Sequence, residues 1–298
     1  MLQMTTTQSL ELFKKALVGN NFSINSIRAY SDDIDQFMEW TKKGRVDWDN
    51  PLKFTRIDIT EFLNHQAAIK STGVTRVRKL AAIRKFFTFL KDNQIIETNP
   101  AETVKGPIKE ERDPEVLFRN EYKALLYEAS INIRDYAILM TFLQTGVRVG
   151  ELVNLKIDDI DLENRLLVVR QGKGRKDRTI PLEDQVIKAL KTYLQSRKTN
   201  LATSYIIDED TLFLAKNGTS LDVRTVRYLV NKYVKKAGIR KKASVHTLRH
   251  TFGTHKVDKG MSIPTLKELL GHKKIETTFK YIHLAQTTLR QQQIDTAL

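Results

Sequence analysis

Apolar residues recur at three-and-four spacing through most of the chain, interrupted by one region in which the period drops to two. Residues 8–19 and 24–41 each predict an amphipathic helix, the second with Ile27, Tyr30, Ile34, Phe37 and Met38 on one face and Ser23 or Asn25 available as its cap. After a loop through Asp47, Asn50 and Pro51, the same spacing predicts helices at 57–69 and 73–91, giving a small helical bundle. Residues 99–114 then hold three of the six prolines, a glycine and mixed charges, which is linker composition.

Helical periodicity resumes at 120–130, 132–145 and 149–155. The period then changes: LLVVR at 166–170 and RTIPL at 178–182 flank GKGRKD, with a third short strand expected at 157–162, so a small antiparallel sheet is predicted inside a mainly α domain. Further helices are expected at 183–197, 222–237, 246–258, 264–270 and 275–283, with a separate amphipathic piece at 285–296. The expected organisation is an N-terminal helical domain (1–98), a linker (99–114) and a C-terminal domain (115–298) ending in a tail from about 285.

At 298 residues the chain is long enough for two cores, and its apolar and charged content is that of a globular protein. Neither a signal peptide nor an apolar run of membrane-spanning length is visible, so a soluble, cytoplasmic protein with no membrane partner is expected. Cysteine is absent, which excludes disulfides, thiolate metal sites and a cysteine nucleophile.

Charge changes the picture more. Lys and Arg outnumber Asp and Glu by 50 to 35, a formal +15 that favours a polyanionic partner. The excess is concentrated in two blocks without acids, Lys70–Lys91 with seven basic residues and Val223–Val257 with ten. Within them Arg76, Arg78, Lys79, Arg84 and Lys85, and Arg224, Arg227, Lys241 and Lys242, are expected to face phosphates, while Leu80, Ile83, Phe86, Phe87 and Leu90 face a core.

Several residues carry candidate chemistry. Arg148 follows a glycine turn, with Glu151 three residues on and able to reach back to it. Lys173 lies between two glycines at the expected hairpin tip, where an ammonium can protonate a leaving oxygen. His246 and Arg249 share one helix face, His272 leaves a helix at Gly271, and Tyr281 follows in a Thr-rich helix. His246 and His250 have the i, i+4 spacing of zinc ligands, but HExxH is missing and Leu248 and Arg249 stand where acids would help, so no metal is expected. Phosphodiester transesterification needs a nucleophile, donors to the non-bridging oxygens and an acid for the leaving oxygen, and this set supplies all three.

The blocks TGVRVGELVNLKIDDID, GKGRKDRTIPL, HTLRHTFGTH and LLGHKKIETTFKYIH, in that order and spacing, resemble the tyrosine recombinase (phage integrase) family, most closely its Xer-type members. Lys256 departs from the pattern, standing where similar proteins usually have an apolar residue. The resemblance implies a two-domain DNA clamp made of a SAM-like core-binding domain and a catalytic domain. It makes Arg148 and Arg249 the clamp on the scissile phosphate, Lys173 the general acid, His246 the candidate base, His272 a further phosphate donor, Tyr281 the nucleophile and Glu151 a support for Arg148.

The same resemblance implies a 3′-phosphotyrosyl intermediate and a Holliday junction, with no cofactor, ATP or metal. The implied partners are double-stranded DNA carrying a specific recombination site, a tetramer on two such sites formed with itself or with a sister recombinase, and accessory proteins. The tail would dock on a neighbouring protomer. Xer-like resolution of DNA multimers or cointegrates is the leading task; integration and excision of a mobile element, a type IB topoisomerase-like activity and an inactive DNA-binding regulator are the alternatives.

Overall fold

The computed structural model describes residues 4–20, 22–44, 47–107, 113–170, 177–201 and 208–296, with backbone alone at 198–201 and 287–296. The chain forms two compact units, 1–112 and 113–298.

The first unit is a helical bundle whose helices begin where side chains can satisfy their free N–H groups. Helix α1 (Thr6–Gly19) starts at a reciprocal cap: Thr5 Oγ1 accepts from Gln8 N at 3.2 Å and Gln8 Oε1 accepts from Thr5 N at 3.0 Å. Of the two expected caps for α2 (Ile24–Gly44), Ser23 serves, accepting from Ser26 N at 3.1 Å. Thr55 with Asp58 caps α3 (Arg56–Ala68), and Thr72 caps α4 (Gly73–Asp92). The predicted apolar faces meet in a core rich in phenylalanine, with edge-on ring pairs such as Phe37–Phe62 at 5.2 Å and Phe86–Phe87 at 5.3 Å.

The basic face of α4 is smaller than expected. Lys79 precedes Ile83 by four residues and Phe86 by seven, which turns it inward; it is 3% exposed. Its Nζ donates to buried Asp33 at 3.4 Å and to Gln36 Oε1, and Arg78 donates to the same carboxylate. Burial pushes the Asp33 carboxyl up, opposed by these two cations. Lys79 therefore neutralises a buried acid instead of facing phosphate. Arg84 is likewise engaged, donating through Nε to Ala101 O at 3.1 Å and also to Val104 O. Ala101 and Val104 are buried in this core, so the chain still packs on the first unit after the proline-rich composition has begun. Lys85 Nζ lies 4.7 Å over the Phe22 ring, and Arg76 is half-buried.

The second unit is built around α6 (Ile133–Thr145), whose side chains from Ala137 to Phe142 are all buried. Helices α5 (Arg119–Ala129), α8 (Asp184–Leu201) and α10 (Val245–Asp258) pack on it. The short α7 (Val149–Val153) leads into an antiparallel sheet ordered β1 (Ile160–Asp161), β2 (Leu166–Val169), β3 (Arg178–Pro181), with Leu167 opposite Ile180 and Val169 opposite Arg178. The first strand is shorter than expected because 157–159 form a 3-10 turn, whose N–H at Lys156 is capped by Asp159 at 2.9 Å. Helices α9 (Val223–Lys236), α11 (Ile263–Leu270) and α12 (Glu276–Thr296) complete the unit.

Two expected helices, 275–283 and 285–296, are one: nothing in His283–Leu284–Ala285 breaks the backbone, and Leu284 and Ala285 are buried. Lys256 is accommodated by pairing with Glu183 at 2.6 Å and lying 5.6 Å over the Phe252 ring. Among the described residues no helix is long and apolar enough to cross a membrane.

Candidate active site

The site in the second unit forms where two helices end and a third begins. Gly146 closes α6 at φ 61° in the left-handed region, and a Cβ there would lie 2.4 Å from the Phe252 ring, so glycine is required. The turn delivers Arg148 to the start of α7. There Glu151 reaches back as expected: Oε2 accepts from Arg148 N at 2.7 Å and Oε1 from Arg148 Nη1 at 2.8 Å.

Arg249 on α10 is 5% exposed. Its Nη1 donates to Gly146 O and its Nη2 to Leu270 O, both at 2.6 Å, while Arg148 Nη2 donates to Gly271 O at 3.1 Å. These carbonyls are the negative ends of α6 and α11, which is where cations are favoured. Gly271, at φ 61°, ends α11 and hands the chain to His272.

A third arginine completes the set. Arg178, at the start of β3, donates to both Glu151 oxygens at 3.0 and 2.7 Å and to Leu269 O at 2.7 Å. Burial pushes the Glu151 carboxyl up, but Arg178 first and Arg148 second more than offset this and hold it at about 2.

Tyr281 on α12 is 0% exposed, packed in a small core with Val116, Phe252, Leu266, Leu270 and Leu284. The His272 ring stacks on it at 6.2 Å with planes 7° apart, and Lys280 Nζ lies 5.3 Å over it. The imidazole that touches the phenol is His250, with Nδ1 3.2 Å from Oη, while His246 is exposed near the start of α10. The close approach of α10 and α12 depends on Gly253, where a Cβ would meet Tyr281 ring carbons at 2.6–2.8 Å. Gly253→Ala is expected to destabilise the fold by about 1–3 kcal/mol through overpacking, more than the roughly 1 kcal/mol that alanine adds to a helix. An equilibrium denaturant melt reads the difference, and an unchanged or raised midpoint contradicts this packing.

The electrostatics are those of a site that favours an anion. Burial and then neighbouring Arg148 pull Arg249 down to about 10, so it stays charged at working pH. Burial and surrounding cations press His250 and His272 to about 3 and lower His246 and Lys280, leaving the imidazoles neutral. Burial raises the Tyr281 phenol, with Arg249 and Arg148 opposing. His272 Nδ1 is 2.9 Å from Thr278 Oγ1; with the hydroxyl as donor, Nε2 carries the imidazole proton.

The structure thus brings together Arg148, Glu151, Arg249, His272 and Tyr281. Lys173 lies outside the described residues, on the connection between β2 and β3. Arg224, Arg227 and Lys242 are exposed, and Arg227 lies close enough to His246 to lower its pKa. Lys241 does not face outward as expected: it donates to Glu121 at 2.8 Å and Val116 O at 3.1 Å and lies over the Phe118 ring, fastening the start of the unit. Sequence reasoning missed Arg178, which read only as part of a β run, and met His250 only as a zinc candidate. Among the described residues no three His, Asp or Glu side chains gather as a metal site would require.

The "Phage integrase family" profile matches residues 115–288, the whole of this site, and "Phage integrase, N-terminal SAM-like domain" matches 10–94. The chain belongs to the phage integrase family. Among the integrases and recombinases it resembles is a tyrosine recombinase XerC of Caldanaerobacter subterraneus, 37% identical over 291 residues that cover 90% of this chain and 80% of that one. The crystal structure of XerA recombinase is 31% identical and covers 98% of this chain and 99% of its own, with a TM-score of 0.56. A lambda integrase tetramer bound to a Holliday junction shares the fold, with TM-score 0.74 at 20% identity over 94% of this chain and 78% of that one. This phage integrase family member is a Xer-like, site-specific tyrosine recombinase, an enzyme of DNA strand exchange.

Proposed function

We propose that this recombinase cleaves and rejoins each strand through Tyr281, on a scissile phosphate held by Arg148 and Arg249. The carrying observation is that two guanidiniums from separate helices and one buried phenol meet in a cluster with excess positive charge. Guanidiniums stay charged and bind phosphate oxygens in fork geometry. His272, donating through Nε2, adds a neutral donor to the phosphate.

In the forward step the Tyr281 oxygen forms a bond to phosphorus and the bond to the 5′ oxygen breaks. The phenol proton passes to His246, the neutral and exposed imidazole, and the 5′ oxygen takes a proton from Lys173, a role resting on the family pattern. The 3′-phosphotyrosyl bond keeps the energy of the broken one, so a 5′ hydroxyl from the partner strand reverses the step without ATP. His250, held near 3, is too weak a base for this and positions the phenol.

The proposed organisation is a core-binding domain (1–98), a linker (99–114) and a catalytic domain (115–298), with the end of α12 docking on a neighbour. Four protomers, alone or with a sister recombinase, would join two DNA sites in the cytoplasm, with accessory proteins setting direction. Arg76, Arg78 and Lys85 in the first unit and Arg224, Arg227 and Lys242 in the second are the proposed backbone contacts. The task proposed is resolution of DNA multimers, as the XerC-like sequence suggests.

The test is a supercoiled plasmid carrying two direct copies of the duplex that the protein selects from random DNA. The expected products are two smaller circles. Relaxation of a one-site plasmid by monomers, without resolution of the two-site plasmid, would replace this reading with a topoisomerase.

A further inference from the structure

We infer that Arg178 is a positioning residue of the cleavage site, holding Arg148 through Glu151 and the α11–α12 turn through the Leu269 carbonyl. The inference rests on the proposed role of the site in phosphodiester transfer. Arg178 itself is not a phosphate ligand. Its side chain is 8% exposed, against 34% for Arg148, and three of its nitrogens are already spent on Glu151 and Leu269 O.

The Glu151 carboxylate is what makes the arrangement cooperative. Each oxygen serves two donors: Oε1 takes Arg148 Nη1 at 2.8 Å and Arg178 Nη1 at 3.0 Å, and Oε2 takes Arg148 N and Arg178 Nη2, both at 2.7 Å. With every lone-pair direction used, the carboxylate has one orientation, and so has the Arg148 guanidinium bonded to it. Without Arg178 one side of the buried carboxylate is unpaired, and it is free to turn away from Arg148.

The position in the chain gives Arg178 a second use. It stands opposite Val169 at the base of the β2–β3 connection that carries Lys173, and its Nε bonds to the residue two before Gly271 and three before His272. One planar side chain therefore ties the sheet, α7 and the end of α11, three parts that each supply a residue to the site. A lysine has a single ammonium and cannot span these acceptors in fork geometry.

The test measures single-turnover formation of the covalent adduct on a nicked suicide duplex, alongside equilibrium binding of that duplex. Wild type, R178M, R178K, E151Q and the E151Q/R178M double variant are compared. R178M is expected to lose about 100-fold in adduct formation, the scale of a misplacement of about 1 Å, with binding changed less than about threefold, since one misplaced phosphate contact is one among many. R178K, which keeps the buried charge and so the fold, is expected to fall between wild type and R178M. The double variant is expected to be no slower than the slower single variant within about twofold, because both changes remove one linkage.

A pH series adds a readout that a purely structural arginine would not move. Glu151 is faced by Arg148 from the α6–α7 turn, Arg178 from β3 and Arg249 from α10. Removing Arg178 takes away the largest influence lowering its pKa, so in R178M the active ionised form is lost as pH falls. As pH is lowered, adduct formation by R178M is expected to drop sooner than that of wild type, whose Glu151 stays ionised down to about 2, and the E151Q/R178M variant is expected to lack this added limb. Multiplicative losses in the double variant, or a wild-type rate in R178M, overturn the role of Arg178 while leaving the cleavage reading intact. No adduct from wild type overturns both.

Discussion

Tyr281→Phe is expected to bind its DNA site with unchanged affinity and to form no covalent adduct. The substitution removes one oxygen and keeps a ring that is 0% exposed in a small apolar core, so the packing of α10, α11 and α12 is retained. The hydroxyl gives up its 3.2 Å interaction with His250, a neutral imidazole, and its interaction with the Arg249 guanidinium, and a lost hydrogen bond costs about 1 kcal/mol. Burial already disfavours the charged phenolate, so the fold gives up little with the hydroxyl. The chemistry has no substitute. Among the described residues His250 and His272 are the neutral imidazoles against the phenol, and water attack would leave no protein–DNA bond. The expected loss exceeds three orders of magnitude, or about 4 kcal/mol of barrier. The measurement is adduct capture on a nicked suicide duplex beside a binding titration on the same duplex; an adduct surviving in the Phe variant removes Tyr281 from the role of nucleophile.

Much of this site was legible because its parts are local. Gly146 before Arg148, Glu151 three residues later and Gly271 before His272 are short-range arrangements, and each folds as its spacing predicts. Helix positions were legible for the same reason, since caps such as Thr5 with Gln8 act over three residues. The misreadings concern partners distant in the chain. Lys79 looked like one of several outward cations, although its heptad spacing to Phe86 was a sign of an inward face; the acid it neutralises, Asp33, lies on another helix. Lys241 pairs with Glu121, and Arg178 with Glu151, across separations that charge counting cannot see. The apolar positions thin out along α12 and so suggest two pieces, 275–283 and 285–296, whereas helix continuity needs only the absence of a breaker.

Arg249→Ala is expected to cut adduct formation by about two to three orders of magnitude, the cost of removing one preorganised donor to transition-state charge. Binding should fall only a few-fold, because Arg249 would touch one phosphate among many along the duplex. The pKa of Arg249 makes the asymmetry sharper. A base whose folded pKa lies below its ordinary value binds its proton less tightly when folded, so the charged form of Arg249 disfavours folding at neutral pH. The two carbonyls of Gly146 and Leu270 and the nearby Glu151 offset part of that cost, while Arg148 adds to it. A phosphate offers the negative charge that this cluster of cations favours, and charge that grows on its oxygens in the transition state is met by a donor already in place. Arg249→Ala therefore relieves repulsion with Arg148 and Arg178 while leaving two buried carbonyls without their donor, so its effect on stability is small beside its effect on cleavage. Arg249→Lys keeps the charge but cannot reach both carbonyls and a phosphate oxygen together, and is expected to recover binding more than rate. Equal losses in binding and in adduct formation for Arg249→Ala would show a contact made as strongly in the ground state, and would move transition-state stabilisation to other donors.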